Sequence, residues 1–139
     1  MWPEGLAQVK TRHDIPAGEP SVIAIVDDDP AVCSSLKFSL ELEGYEVRTY
    51  GSGAELLRNG NLGNVRCFIV DQRMPAMSGL EVIGTLRDRK ITAPAILIIS
   101  QPSAVLSARA AQARIPIVEK PFLGNLLLER IHEACRTGA

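Results

Sequence analysis

The sequence predicts an α/β fold with a five-stranded parallel sheet and helices on both faces. Short apolar runs recur five times from Val22 onward, and each precedes a segment whose pattern favours a helix. Strands of parallel sheets are buried on both faces, so they form continuous apolar runs of this kind. The 139 residues suffice for one such domain. Right-handed crossovers leave few topologies, of which we favour strand order 2-1-3-4-5.

The first half of the alternation begins with a strand at Val22–Val26. Asp29 is a favourable helix N-cap, and Pro30 stands at the first helical position, where its missing N–H costs nothing. Apolar residues then repeat at helical spacing until Gly44 ends the helix. The other elements of this half are a strand at Glu46–Tyr50, a short helix at about Ala54–Asn59 and a strand that ends at Val70.

The second half continues in the same order. Pro75 marks a loop before the next helix. The alanine-rich segment after the fourth strand favours a helix because alanine has the highest helix propensity. The predicted elements are a helix at about Leu80–Arg89, a strand at Ala95–Ile99, a helix at about Ala104–Ala113, a short strand near Ile117–Val118 and a last helix from about Asn125 to Arg136.

Composition excludes several classes of function. The net charge of −1 gives no general attraction to nucleic acid or to an anionic membrane, and no apolar stretch is long enough to cross a bilayer. Cys33, Cys67 and Cys135 lack the spacing of a metal site, so we expect reduced thiols in a cytoplasmic protein.

Residues 1–20 differ in composition from the rest of the chain. Prolines and glycines punctuate a polar stretch, which predicts a flexible leader before a domain at residues 21–139. A docking arm containing Trp2 is the alternative.

Polar side chains follow the predicted strands at the points where those strands end. Asp27 and Asp28 follow the first strand, Asp71 the third, Ser100 the fourth and Lys120 the fifth. Ligands of open α/β sheets bind at the carboxyl ends of the strands, so we expect these groups to converge on one small pocket. Carboxylates suit a hard cation and an ammonium suits a phosphoryl group.

Ordinary structural interpretations compete with this hypothesis. Two adjacent carboxylates at the end of a buried strand, Asp27 and Asp28, are a poor structural choice without a cation. Ser100 alone would be an ordinary loop serine, so its role depends on the other site residues. His13 and His132 have no partner at catalytic spacing, and we expect both at the surface.

Four stretches of the chain resemble response-regulator receiver domains of two-component signalling systems, over about residues 21–136. They are Val26-Asp27-Asp28-Asp29-Pro30, Asp71-Gln72-Arg73-Met74-Pro75 with Met77 and Gly79, Ser100, and Glu119-Lys120-Pro121-Phe122. The resemblance implies a CheY-like, flavodoxin-like fold and a switch controlled by phosphorylation.

The resemblance also implies a magnesium site. Asp28 and Asp71 would bind Mg²⁺ directly, with the backbone carbonyl of Arg73 as the third protein ligand. Asp27 would hold a metal-bound water. Few protein ligands are expected, since Mg²⁺ normally keeps several waters.

Phosphoryl chemistry is carried over to three residues. Asp71 would be the phosphoacceptor, Lys120 would contact the phosphoryl oxygens, and the hydroxyl of Ser100 would move toward the phosphoryl group. The resemblance further implies a cis peptide bond between Lys120 and Pro121.

Partners are implied in the same way. A sensor histidine kinase or a phosphotransfer protein would supply the phosphoryl group, and the domain would assist only its own transfer and hydrolysis rather than act as an enzyme on other substrates. The output would be a changed face of the fourth helix, fifth strand and fifth helix, with a possible homodimer through this face near Leu106. We expect no nucleic-acid or membrane partner within this chain.

Three departures from the family pattern support a second hypothesis. Gln101 and Pro102 follow Ser100 where the family usually has a very small residue, the stretch from Ser100 to Lys120 is short, and Ile117 replaces a common aromatic residue. These departures favour a degenerate receiver that serves only as an interaction module. In an active receiver, Gln101 would slow both labelling by small donors and hydrolysis.

Two enzyme classes are less favoured. A metal-dependent phosphatase or phosphotransferase would need a general acid and a substrate pocket, and the sequence indicates neither. A nucleotide-binding domain is disfavoured because no glycine-rich phosphate loop follows the first strand.

Overall fold

A computed structural model of the chain describes residues 21–58, 61–120 and 125–137. The leader at residues 1–20 and the Lys120–Pro121 peptide bond therefore lie outside the described residues, and both expectations stay predictions. The elements in chain order are β1 (Val22–Val26), α1 (Pro30–Leu42), β2 (Glu46–Tyr50), α2 (Gly53–Arg58), β3 (Val65–Asp71), α3 (Gly79–Asp88), β4 (Ala95–Ile99), α4 (Ala104–Gln112), β5 (Ile117–Glu119) and α5 (Leu126–Thr137).

The sheet confirms the predicted topology. Its five strands are all parallel and lie in the order β2-β1-β3-β4-β5. The strand order reverses between β1 and β3, so the connections on either side of this point diverge and leave a crevice at the carboxyl ends of the two strands. Asp27 and Asp71 stand at these ends.

Two helical layers cover the sheet. Alternate β1 residues point to opposite faces, because successive side chains of a strand alternate. Ala24 and Val26 join a core with α2, α3 and α4, whereas Ile23 and Ile25 join a core with α1 and α5. All five residues of β1 are buried, which explains the continuous apolar run in the sequence.

Three helices end in the same way at the amino edge of the sheet. After α1, the N–H groups of Gly44 and Tyr45 donate to carbonyls of the last helical turn, which is a Schellman motif. The same two bonds follow α3 and α4. The left-handed residue of the motif is Gly44 (φ 99°) after α1 but Lys90 (φ 66°) after α3 and Arg114 (φ 59°) after α4.

Two predicted boundaries need correction. β3 was predicted to end at Val70, but it includes Asp71, because this residue pairs with Ile98 of β4. α3 begins at Gly79 rather than Leu80, since Ser78 is its N-cap and accepts the hydrogen bond of the Glu81 N–H. The remaining elements agree with the predicted bounds to within about one residue, the usual uncertainty of element ends.

The surface expectation for His132 was wrong. This side chain is only 15% exposed, because its ring stacks on Tyr45 with 5.5 Å between centroids. Its Nε2 lies 4.0 Å from Glu43 Oε1. His132 thus joins α5 to the loop after α1.

The α4 surface divides its apolar residues between core and solvent. Leu106 is half-buried and packs against the core, whereas Val105 is 70% exposed. The exposed part of the predicted interaction face is therefore carried by the neighbours of Leu106.

Cys33, Cys67 and Cys135 are buried free thiols. Within the described ranges, none of the helices has the length and apolar character that crossing a membrane requires.

Candidate functional site

Asp71 is the last residue of β3 and is only 5% exposed. The next residue extends the ladder, since the Gln72 N–H donates to the carbonyl of Ile98 (2.9 Å). The start of α3 packs directly on this point. A Cβ at Gly79 would lie 2.7 Å from the backbone oxygen of Asp71, closer than carbon and oxygen atoms can approach. Only glycine therefore lets α3 begin against the backbone of Asp71.

Asp27 follows β1 and is 2% exposed. Its N–H donates to the Tyr50 carbonyl (3.1 Å), which continues the β1–β2 ladder by one bond. Its Oδ1 accepts from the Asp29 N–H (2.9 Å), while Asp29 caps α1 by accepting from the Ala31 N–H. Asp29 is thus the predicted helix cap, and Asp27 is held with one carboxylate oxygen engaged by the backbone.

Three carboxylates converge at the carboxyl edge of the sheet. Oxygens of Asp27, Asp28 and Asp71 all lie within 4.8 Å of one another, and Asp28 is the exposed member. Lys120 reaches the same point from β5, where its N–H donates to the Ile99 carbonyl (2.8 Å). Its Nζ lies 3.3 Å from Asp27 Oδ2 and 3.3 Å from Asp71 Oδ1.

The site has an excess of negative charge. Burial raises the pKa of the Asp71 carboxyl, and the neighbouring Asp27 raises it further, while Lys120 opposes both effects. Burial alone would lower the pKa of the Lys120 ammonium, but the carboxylates of Asp71 and Asp27 outweigh it and raise the pKa. The cluster thus contains three carboxylates, and the Lys120 ammonium pairs with two of them, Asp27 and Asp71. The donor set fits a hard divalent cation, which binds carboxylate oxygens and would neutralise the excess.

The other predicted site residues lie around this cluster. Ser100, Gln101 and Pro102 directly follow β4 and are exposed at the same edge, and Arg73 is exposed in the loop after β3. Ile117 is half-buried and packs against the core on β5. The structure therefore brings Asp27, Asp28, Asp71 and Lys120 together. The modulating roles of Gln101, Pro102, Ile117 and Pro121 stay predictions.

Sequence reasoning missed the side chain of Gln72. Its Oε1 accepts a hydrogen bond from the Leu80 N–H (2.9 Å) across the loop that joins β3 to α3. A glutamine directly after a strand is a common surface residue, and an irregular loop separates it from Leu80, so no periodic pattern links the two. Only the folded loop shows the contact.

Comparisons with known proteins agree with this geometry. The family model described as "Response regulator receiver domain" matches residues 23–132. The transcriptional regulatory protein FixJ of Rhizobium meliloti is 34% identical over 119 residues, which cover 81% of this chain and 55% of FixJ. The chain thus spans about half the length of the curated relatives it matches.

Solved structures give the same result. The response regulator TrrA of Thermotoga maritima, in complex with Mg²⁺-BeF, is 36% identical with a TM-score of 0.72, and the match covers 82% of this chain and 98% of TrrA. A CheY-like receiver domain protein of Methanospirillum hungatei is 29% identical with a TM-score of 0.77, and the match covers 85% of this chain and 95% of that protein.

Proposed function

The chain belongs to the response regulator receiver domains, and we propose that Asp71 is its phosphoacceptor in a Mg²⁺-dependent transfer from a sensor histidine kinase or a phosphotransfer protein. The observation that carries this proposal is the convergence of three carboxylates and one ammonium. Lys120 Nζ lies 3.3 Å from both Asp27 and Asp71, and the oxygens of Asp27, Asp28 and Asp71 lie within 4.8 Å.

The acidic residues would hold the cation. Asp28 and Asp71 would be direct ligands together with the backbone carbonyl of Arg73, and Asp27 would bind through water. The similar protein TrrA has been solved in complex with Mg²⁺-BeF, which supports a magnesium site here. When bound, Mg²⁺ would supply positive charge that offsets the transferring phosphoryl group and the surrounding carboxylates.

Asp71 would act as the nucleophile. A carboxylate oxygen attacks phosphorus, so an O–P bond forms while the P–N bond to the donor imidazole breaks and its electron pair returns to the ring nitrogen. Lys120 favours the ionised, nucleophilic form of Asp71, since its ammonium lowers the carboxyl pKa against the effect of burial. After transfer, the ammonium would contact the phosphoryl oxygens as a point charge. The hydroxyl of Ser100 would move toward the new group.

The domain would act on its own acyl phosphate and not on separate substrates. We expect it in the cytoplasm, where two-component kinases present their phosphorylated histidines. The output face would be α4, β5 and α5, on which Val105 is 70% exposed, and a homodimer through this face is part of the proposal.

Labelling by a small acyl phosphate tests the proposal. Wild type should gain the mass of one phosphoryl group when Mg²⁺ is present and none in excess chelator. Asp71→Asn should abolish labelling, and Asp28→Ala should remove most of it together with most Mg²⁺ binding. Asp88→Asn is the matched control, because Asp88 is an exposed aspartate at the end of α3.

Two outcomes would contradict the proposal. Undiminished labelling of Asp71→Asn would exclude Asp71 as the acceptor. Absence of labelling in both wild type and Gln101→Ala, with a small donor and with a kinase, would favour the interaction-module hypothesis.

A further inference from the structure

We infer that Gln72 is a positioning residue, which holds the loop between β3 and α3 in the form that the metal site needs. Gln72 stands at the base of this loop, between the acceptor Asp71 and the proposed carbonyl ligand of Arg73. The inference rests on the proposed function, in which the loop supplies the Arg73 carbonyl as a metal ligand. The contacts that carry the inference are those of Gln72, and they do not involve the carboxylate cluster.

Gln72 makes three hydrogen bonds that close the loop. Its N–H donates to the Ile98 carbonyl (2.9 Å), and its own carbonyl accepts from the Gly79 N–H (3.1 Å). Its side-chain Oε1 accepts from the Leu80 N–H (2.9 Å). The six residues from Arg73 to Ser78 are thus closed at their base by one residue, with β4 on one side and α3 on the other.

The first N–H groups of α3 are all engaged. The Gly79 N–H donates to the Gln72 carbonyl and the Leu80 N–H to its side chain, while the Glu81 N–H donates to Ser78 Oγ (3.2 Å). A helix start normally leaves such donors without intrahelical partners. Two of the three are satisfied by Gln72, one by its backbone carbonyl and one by its side chain, so this residue links the position of α3 to that of the loop base.

The loop between β3 and α3 is strained, so we expect it to move when the Gln72 side-chain bond is lost. Ala76 adopts a left-handed conformation (φ 69°), which is unfavourable for a residue with a Cβ. The Met77 N–H donates to the Pro75 carbonyl across a very tight turn (2.7 Å). A strained loop persists only where its surroundings over-determine it. Loss of the Gln72 side-chain bond would let the Arg73 carbonyl drift from the carboxylates.

The test compares Gln72→Leu with Gln72→Glu. Leucine removes the acceptor at similar size, whereas glutamate keeps an oxygen for the Leu80 N–H. In metal-free Gln72→Leu, the Leu80 amide should exchange with solvent about tenfold faster than in wild type, since it has lost its acceptor. Mg²⁺ binding should be about three- to tenfold weaker, the factor that corresponds to one net hydrogen bond. Gln72→Glu should return the Leu80 exchange rate to the wild-type value or below it, and Mg²⁺ affinity to the wild-type value or above it.

Ser78→Ala is the control for a purely structural role. It removes the other side-chain acceptor at the start of α3 and should lower stability as an N-cap loss does, but leave Mg²⁺ affinity unchanged. If Gln72→Leu keeps wild-type Leu80 exchange, or keeps wild-type Mg²⁺ affinity despite faster exchange, the inference is wrong. A wild-type protein that binds no Mg²⁺ would refute the proposed function, and the positioning role would fall with it.

Discussion

The carboxyl and amino edges of the sheet differ in what stabilises them, side-chain ion pairs at the first and backbone hydrogen bonds at the second. At the carboxyl edge, buried Asp27 and Asp71 share one ammonium and depend on Lys120, which reaches them from β5. At the amino edge, three helices close on themselves with backbone bonds, even where Lys90 or Arg114 occupies the position that glycine prefers. At the carboxyl edge, the unfavourable contribution is repulsion among clustered carboxylates. At the amino edge, it is a small backbone strain at Lys90 and Arg114.

The carboxylate cluster serves ligand binding, whereas the helix ends at the amino edge serve folding. Close carboxylates repel one another in the metal-free protein, and a bound cation would offset this repulsion because it attracts each of them. The Schellman ends make no contact with the carboxylate cluster, so their sequence can vary as long as the two backbone bonds form. Lysine therefore has a different role at each edge.

Replacement of Lys120 should have the largest effect on this contrast. Lys120→Met leaves two buried carboxylates without their ammonium, so the free energy of unfolding in chelator should fall by about 2–4 kcal/mol. Urea unfolding at neutral pH measures the loss. Lys37→Met is the matched control, because Lys37 forms an exposed ion pair with Glu41 within α1 and such pairs contribute about 0.5 kcal/mol or less.

A second variant checks the cause of this loss. Lys120→Met combined with Asp71→Asn should regain part of the stability, since one of the uncompensated charges is gone. Equal losses in Lys120→Met and Lys37→Met would show that the ammonium does not stabilise the buried carboxylates.

Alkaline pH should lower the free energy of unfolding through Cys135, a buried thiol near the end of α5. Burial raises the pKa of the Cys135 thiol from 9.0 to about 11. The folded state keeps this proton while the unfolded state loses it, so the contribution is fully present below pH 9 and is lost as the pH rises through about 11. The loss should reach roughly 2–3 kcal/mol, since each pKa unit corresponds to about 1.4 kcal/mol.

Unfolding free energies at intervals across this range provide the measurement. The unfolding free energy of Cys135→Ala should decline less steeply with rising pH than that of wild type. Some slope should remain, because burial also raises the pKa of the neighbouring Tyr45 far above its ordinary value. A Cys135→Ala curve parallel to that of wild type would rule out this thiol as a source of the slope. At the carboxyl edge, the raised pKa of Asp71 acts in the same sense at a lower pH, because acidification relieves the charge repulsion and favours the folded state.

The smallest expected effects concern the helix ends. Lys90→Gly should raise the free energy of unfolding by about 0.5–1 kcal/mol, because glycine adopts the left-handed conformation without a Cβ clash. Arg114→Gly should act in the same direction. Gly44→Ala places a Cβ at φ 99° and should cost about 1 kcal/mol or more. Urea midpoints at constant slope measure all three, and a destabilised Lys90→Gly would contradict this account of the helix end.

Much of the fold and the cluster could be predicted because the chemistry of parallel strands is local. Apolar runs mark the strands, and their carboxyl ends meet at one edge, so the sequence pattern alone places Asp27, Asp71 and Lys120 together. The handedness of crossovers left few topologies, and the favoured strand order among them is the one observed. Helix caps such as Asp29 have a signature within a few residues of the chain.

The remaining features depend on distant contacts. His132 is largely covered because its ring stacks on Tyr45, which is remote in the chain, so the helix pattern alone placed it at the surface. Asp71 belongs to β3 because Ile98 pairs with it. The left-handed position of Lys90 has no glycine to mark it, although the two backbone bonds of the Schellman motif form there. These residues show where local patterns cease to decide the structure.

The contact between Lys120 and Asp27 spans 93 residues of sequence, and this separation has a consequence for folding. Such a contact closes one of the longest loops in the domain, and non-local contacts of this kind form late and slow the folding of a chain. A folding intermediate without β5 would contain the carboxylates but not their ammonium. The completed site is therefore a property of the whole domain, and a ligand that binds it selects fully folded molecules over partly folded ones.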